Sequence, residues 1–173
     1  MIDILLHICC APCLIYPFSR LGKKKFKING FYYNPNIYPF EEYSRRKEAL
    51  EVLKEDLKFA VEYPEYQQSD YFSAIAGNKS GAARCKICWY LRLKKTAQYA
   101  KDNGFKVFST TLLVSPYQNH QLLKRCGDQV AKDTGLNFYY EDFRVGFKQA
   151  QIEAKARGIY RQKYCGCKFS NKI

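Results

Sequence analysis

The chain has 173 residues, enough for one domain to bury its own core without disulfide support. Its 29 Lys and Arg against 16 Asp and Glu leave +13 at neutral pH; that favours a polyanionic partner, nucleic acid ahead of an anionic membrane surface, because each phosphate met by a basic side chain releases counterions. No apolar run approaches the roughly 20 residues of a membrane-spanning helix, and the apolar stretch at the start follows Asp3 and no basic segment, so it does not read as a secretory signal and the chain is expected in the cytoplasm.

In chain order, IDILLHI (2–8) predicts a buried strand. Pro12 suits the first turn of the helix that follows, and Pro17 is expected to end that helix early. KINGFYYN (27–34) reads as a second strand. Residues 39–57 read as a helix with Tyr43, Leu50, Leu53 and Leu57 on one stripe, and KFAVEY (58–63) as a third strand. The stretch QQSDYFSAIAGNKSGAA (67–83) predicts a short helical piece and then small residues, a surface excursion. A long helix covers 84–104, with Tyr90, Leu93, Ala97 and Ala100 at helical spacing and Gly104 closing it. KVFSTTLLV (106–114) is the fourth strand, SPYQN opens a helix that runs through Val130 to Gly135, and LNFYYEDF (136–143) is the fifth strand. A basic helix over 147–157 and the tail YRQKYCGCKFSNKI complete the chain.

Strands alternating with helices predict an α/β fold, a three-layer arrangement with a parallel sheet covered on both faces, formed as one domain over 1–173. In a doubly wound order strands one and four are neighbours across the switch point, so CCAPC (9–13) and TTLLVSPYQNH (110–120) are expected to line one cleft.

Eight cysteines in a chain with no secretory signal point to metal or redox chemistry, because the cytosol keeps ordinary thiols reduced. Seven fall into three tight clusters: Cys9, Cys10 and Cys13; Cys85 and Cys88; Cys165 and Cys167. Cys85 and Cys88, at i and i+3 near a helix start, project to one side, and helix N-terminal placement is expected to lower their pKa toward the thiolate. Together with CCAPC they offer five thiols on two loops, enough for an iron-sulfur cluster or a zinc; a dithiol redox pair and a purely structural role are the other readings. Cys165 and Cys167 are too close in sequence for an unstrained mutual disulfide; they chelate a metal, pass electrons through a partner thiol, or pack as core. Cys126, near Leu122 and Val130, reads as core.

His7, inside the first strand, reads as a hydrogen-bonded core residue. His120, just after SPYQN, fits either a proton donor or a helix-start role, and Asp142 fits either a ligand or acid, or a cap. The 12 Phe, 15 Tyr and 1 Trp are partly strand core, and those beside basic residues suit stacking on unpaired RNA bases.

The blocks LLHICCAPC, FYYNPNIYPFEEYSRRKEAL, RCKICWYLRL, FSTTLLVSPYQNH and YRQKYCGC, in this order and almost end to end, resemble the cobalamin-independent epoxyqueuosine reductases of the QueH type. The resemblance implies a fold similar to the adenine-nucleotide α-hydrolase (HUP) group, a 4Fe-4S cluster, and reduction of epoxyqueuosine to queuosine in the anticodon loop of tRNA, with electrons from a separate donor. Cys9, Cys10, Cys85, Cys88, Cys165 and Cys167 are the metal ligands it implies. Cys165 and Cys167, with a spare CCAPC thiol, are candidates for an additional mononuclear iron. Cys13, His120 and Asp142 are the expected catalytic side chains; Tyr33, Asn34, Ser115, Asn119, Arg161 and Tyr164 are the expected substrate contacts. Gln118 departs from the family pattern, where lysine is expected. Two other classes compete: a thiolation enzyme on the same fold, which needs a serine- and glycine-rich phosphate loop after strand one, and a non-catalytic zinc-stabilised RNA-binding module.

Overall fold

In a computed structural model, which describes residues 1–78 and 80–170, five parallel strands form one sheet. They are β1 (Ile2–His7), β2 (Phe26–Phe31), β3 (Val61–Glu62), β4 (Val107–Thr110) and β5 (Asn137–Phe138), in the order β3-β2-β1-β4-β5. Lys79 of the expected excursion and residues 171–173 of the tail lie outside the described residues. The helices are α1 (Ala11–Lys23), α2 (Phe40–Leu57), α3 (Gln68–Ile75), α4 (Gly81–Asp102), α5 (His120–Thr134) and α6 (Phe147–Ala156). α1 packs with α2 and α6 on one face, α4 with α3 and α5 on the other. The sheet order and the three layers are those of a doubly wound, Rossmann-type α/β fold.

β1 is the central strand because it is the most apolar. Ile4, Leu5 and Leu6 are buried on both sides of the pleat, as a strand covered by helices on both faces requires. It pairs with β2 from Ile2↔Phe26 to His7↔Phe31 and with β4 from Ile4↔Val107 to His7↔Thr110. The chain therefore reverses direction across the sheet between β1 and β4. This is the switch point, where the turns after two strands diverge and leave a crevice.

Several boundaries differ from the sequence reading. α1 runs through Pro17 to Lys23, 13 residues in all. The amide hydrogen bond that proline removes is outweighed by burial of Leu14, Ile15, Pro17 and Leu21 against the core. The fourth strand ends at Thr110, where the Thr110 side chain accepts from Leu112 N at 3.1 Å and turns TLLV into a 3-10 helix (Thr111–Val114). Its apolar residues are buried beneath the crevice and not in the sheet. β3 and β5 keep only two residues each, since each is an edge strand with one neighbour. After β5 the Ser109 hydroxyl donates to the Tyr139 carbonyl at 2.7 Å, which replaces the ladder as the chain leaves the sheet.

The excursion is not a bare surface loop. Tyr71 and Ile75 of α3 form a small apolar cluster with Cys88 and Cys167. No helix among the described residues is long and apolar enough to cross a membrane.

Candidate metal centre and cleft

The turn after β1 is built to present sulfur. Cys10 caps α1 in an extended conformation, Pro12 occupies the first turn, and Cys9 N donates to Thr111 Oγ1 at 3.0 Å, which ties the turn to the one after β4. The Sγ atoms of Cys9, Cys10 and Cys13 all lie within 4.8 Å of one another, close enough to converge on one metal. Hydrogen bonds from the Cys10 and Cys13 thiols, with that of Thr111 Oγ1, hold Cys9 well below the usual thiol range. Burial pushes Cys10 up, and its bonds to Cys10 and Cys9 push Cys13 up.

A second sulfur group gathers Cys85, Cys88, Cys165 and Cys167 around a small cavity of about 30 Å³, together with Asn36, Arg84 and Arg92. α4 begins at Gly81, so Cys85 and Cys88 are its fifth and eighth residues, in the second and third turns and not at its N-terminus. The expected depression of their pKa is therefore absent: burial pushes both thiols up. In the tail, the hydrogen bond shared with Cys165 first, then that with Ser170, lowers Cys167 to about 4, while Cys165 is raised by the same shared bond. The two sulfurs are 3.9 Å apart. The structure thus groups CKIC with CGC, whereas the sequence reading paired it with CCAPC. Helical spacing on α4 also puts Arg92, four residues after Cys88, on the thiol face, where its Nε donates to the Cys88 carbonyl at 3.3 Å.

The tail reaches this place through Arg46. Only 2% exposed, it donates from Nε to Glu42 Oε1 at 2.8 Å, from Nη1 to the Cys165 carbonyl at 3.1 Å and from Nη2 to the Tyr164 carbonyl at 3.0 Å. Glu42 Oε2 accepts from Tyr160 OH at 2.7 Å, so one buried ion pair holds both ends of the segment 160–165. Gly166 then turns at φ +119°, a conformation that glycine alone adopts freely, and its carbonyl accepts from Tyr38 N at 2.8 Å. Arg46 was not among the residues singled out in the sequence. Its signal was there: a Glu-Arg pair at i, i+4 set within the buried stripe of Tyr43, Leu50 and Leu53.

Between the two sulfur groups opens a cleft of about 510 Å³ at the switch point. Cys9, Cys13, Leu112 and Ser115 line it from the two turns, Tyr117 and Gln118 from the segment before α5, Phe147 and Gln151 from α6, and Arg46, Gln162, Lys163, Tyr164 and Cys165 complete it. Cys165 borders both cavities. Gln162 Nε2 donates to Cys10 Sγ at 2.7 Å, and Gln118 Oε1 accepts from Trp89 Nε1 at 2.9 Å. No glycine lies in the turn after β1, where a phosphate loop would need it.

Of the expected site residues, Cys13, Ser115 and Tyr164 line the cleft. Tyr33 and Asn34 do not: Tyr33 OH donates to Asp70 Oδ2 at 2.8 Å, and Asn34 is buried, donating to the Ile8 carbonyl at 2.8 Å. Asn119 caps α5 by accepting from Leu122 N at 3.1 Å, and Arg161 is exposed outside the lining. His120 is buried, its Nε2 3.0 Å from the Ser115 carbonyl and its Nδ1 3.9 Å from Asp142 Oδ1. Asp142 is bound by Arg144, whose side-chain bonds lower its carboxyl to about 2. Neither His120 nor Asp142 faces the cleft. His7 is fully buried between Thr110 Oγ1 at 2.9 Å and the Tyr33 carbonyl at 3.0 Å, and burial, reinforced by Arg92, lowers it to about 4. Cys126 is buried in the core.

A family model described as Epoxyqueuosine reductase QueH matches residues 4–173. A protein named Epoxyqueuosine reductase QueH from Dehalococcoides mccartyi is 39% identical over 168 residues, 96% of this chain and 91% of its own length. One of the same name from Thermotoga maritima is 36% identical over 175 residues, 96% of this chain and 89% of its own. A solved structure described as a "predicted subunit of tRNA methyltransferase" from Methanocaldococcus jannaschii shares the fold, with a TM-score of 0.60 at 12% identity over 90% of this chain and 74% of that one. With a match that runs from the first strand through the cysteine-bearing tail, the chain belongs to the epoxyqueuosine reductase QueH family.

Proposed function

We propose that this chain reduces epoxyqueuosine to queuosine in tRNA, the last step of queuosine biosynthesis, in the cytoplasm, using iron held by its two sulfur groups as a 4Fe-4S cluster and one further iron. The observation that carries the reading is sulfur on the floor of a cleft at the switch point, in a member of this family. Converting the epoxide to an alkene removes its oxygen as water and takes two electrons and two protons. The electrons come from a separate reduced donor. Iron bound to these thiolates would supply one-electron transfer and a Lewis-acidic site for the departing oxygen.

The donor set suits that role. Cys9, Cys10 and Cys13 form a three-sulfur set that leaves one position for a non-cysteine ligand and faces the cleft through Cys9 and Cys13. Cys85, Cys88, Cys165 and Cys167 line one small cavity and offer further thiols, although among the described residues only Cys9, Cys10 and Cys13 have sulfurs that all lie within 4.8 Å of one another. Buried Arg46 and Arg92 stand beside the two sets and offset thiolate charge. The remaining lining is free of carboxylates and sets polar side chains beside apolar Leu112 and Phe147. Ser115, Gln118, Gln151 and Gln162 can hydrogen-bond and orient the hydroxyl-bearing substrate, and Lys163 Nζ can carry a proton toward the departing oxygen. His120 acts at one remove, holding the Ser115 carbonyl at the cleft wall.

Incubating anaerobically purified protein with epoxyqueuosine-containing tRNA and dithionite tests the reading. Queuosine is expected in the digested nucleosides by mass spectrometry, from a brown protein with iron and acid-labile sulfide. A colourless zinc protein that binds tRNA and leaves epoxyqueuosine intact would replace it with the non-catalytic module.

A further inference from the structure

Tyr117 is unusual among the aromatics of this chain. It is 83% exposed, yet it is held in place. Its backbone N donates to Ser115 Oγ at 3.2 Å in the turn before α5, and its ring meets Phe147 edge-to-face, with centroids 5.9 Å apart and planes at 86°. Both rings line the cleft. An isolated exposed aromatic needs no explanation, but this one stands at the edge of the site with its backbone tied in the turn and its ring edge-on to Phe147, most of the ring open to solvent. The surroundings are basic: exposed Lys148 follows Phe147, and exposed Lys163 lines the same cleft.

We infer that Tyr117, braced by Phe147, is a stacking platform for an unpaired base of the tRNA anticodon loop that flanks the nucleotide entering the cleft. This rests on the tRNA substrate proposed above. The floor at Cys9 and Cys13 must receive the reacting ring, so what lies at the rim when that ring is inside is the neighbouring part of the loop. Every base presents a π face, and an aromatic ring takes it by stacking without needing hydrogen bonds to its edges. Lysines beside the platform meet the phosphates between stacked bases. Tyr117 is thus a positioning residue that acts on substrate affinity and not on the reacting bond.

The test uses the iron-loaded protein and an unmodified anticodon stem-loop RNA carrying 2-aminopurine next to the position that bears epoxyqueuosine in the substrate. Tyr117→Ala is expected to weaken stem-loop binding by about tenfold, the loss of one base stack, and to abolish quenching of the 2-aminopurine. Tyr117→Phe is expected to retain both. With full-length epoxyqueuosine tRNA, Tyr117→Ala should raise KM by a similar factor and leave kcat at saturation and iron content unchanged. Unaltered affinity and quenching in Tyr117→Ala would overturn the inference, as would a fall in kcat with KM intact, which would place the ring against the reacting group. Because the stem-loop assay needs no turnover, a wild-type protein that binds and quenches but converts no epoxyqueuosine would count against the proposed reaction and leave the platform standing.

Discussion

The two sulfur groups are assembled by opposite routes, and only Cys165 of the second borders the cleft that Cys9 and Cys13 line. Cys9, Cys10 and Cys13 sit within five residues, and a strand end followed by one helical turn brings their sulfurs within 4.8 Å. Cys85 and Cys88 meet Cys165 and Cys167 only because the tail folds back across the molecule and is pinned by Arg46 and Gly166. The first site is local and depends on the sheet; the second is long-range and depends on a buried ion pair. Damage to the chain away from the cysteines should therefore reach the second site first.

Replacing the ligands themselves has the largest expected effect. Cys13→Ser and Cys88→Ser should each reduce queuosine formation to background, yet remove different iron. Iron and acid-labile sulfide counts that fall by complementary amounts support two separate groups; identical losses from both variants would merge them into one. Cys126→Ser, in the core, is the control and should keep iron and turnover.

Next in size is Arg46→Leu, which strands Glu42 in the interior and frees the tail. A loss of about 3 kcal/mol of stability is expected from breaking a buried pair on one side, readable by urea denaturation, with iron lost from the long-range site before the local one. Equal loss from both sites would remove the asymmetry between them.

The local site carries its own pH signature through His7, under the turn. Its ring is neutral when folded, with a pKa near 4, while the unfolded ring takes a proton from about pH 6.5 downward. Acid therefore favours the unfolded chain: the stabilisation is held above pH 6.5 and lost as the pH falls toward 4. Between pH 7 and 5 the wild type should lose about 2 kcal/mol that His7→Gln does not lose, so the stability gap between them narrows in acid. Parallel curves would show that His7 is charged in the fold.

The smallest effect is expected at Gly166→Ala, where a Cβ would come 3.0 Å from both Arg46 Nη1 and Ile37 Cγ1 at a positive φ. A cost of about 1–2 kcal/mol should show as weaker iron retention at the long-range site under chelator challenge, with the Cys9–Cys13 site unaffected.

What the sequence determined by itself was whatever depends on neighbours along the chain. The apolar IDILLHI strand, the helices over 40–57 and 120–134, and the sulfur-bearing turn after β1 follow from period, caps and Pro12. The alternation of strands and helices was enough to put CCAPC and SPYQN at one crevice, because a parallel sheet leaves few topologies. Strand ends were less legible. TLLV and FYYEDF are apolar enough for strands, but a hydrogen bond accepted by the Thr110 side chain and one donated by that of Ser109 take the chain out of the ladder. Only the tertiary structure decided that CKIC faces CGC, that Arg46 holds the tail, and that His120, Asp142, Tyr33 and Asn34 turn away from the cleft. Each of those outcomes rests on contacts between residues tens of positions apart. Residue type and local period say that a side chain is buried or polar; which buried partner it meets is set by how the layers pack.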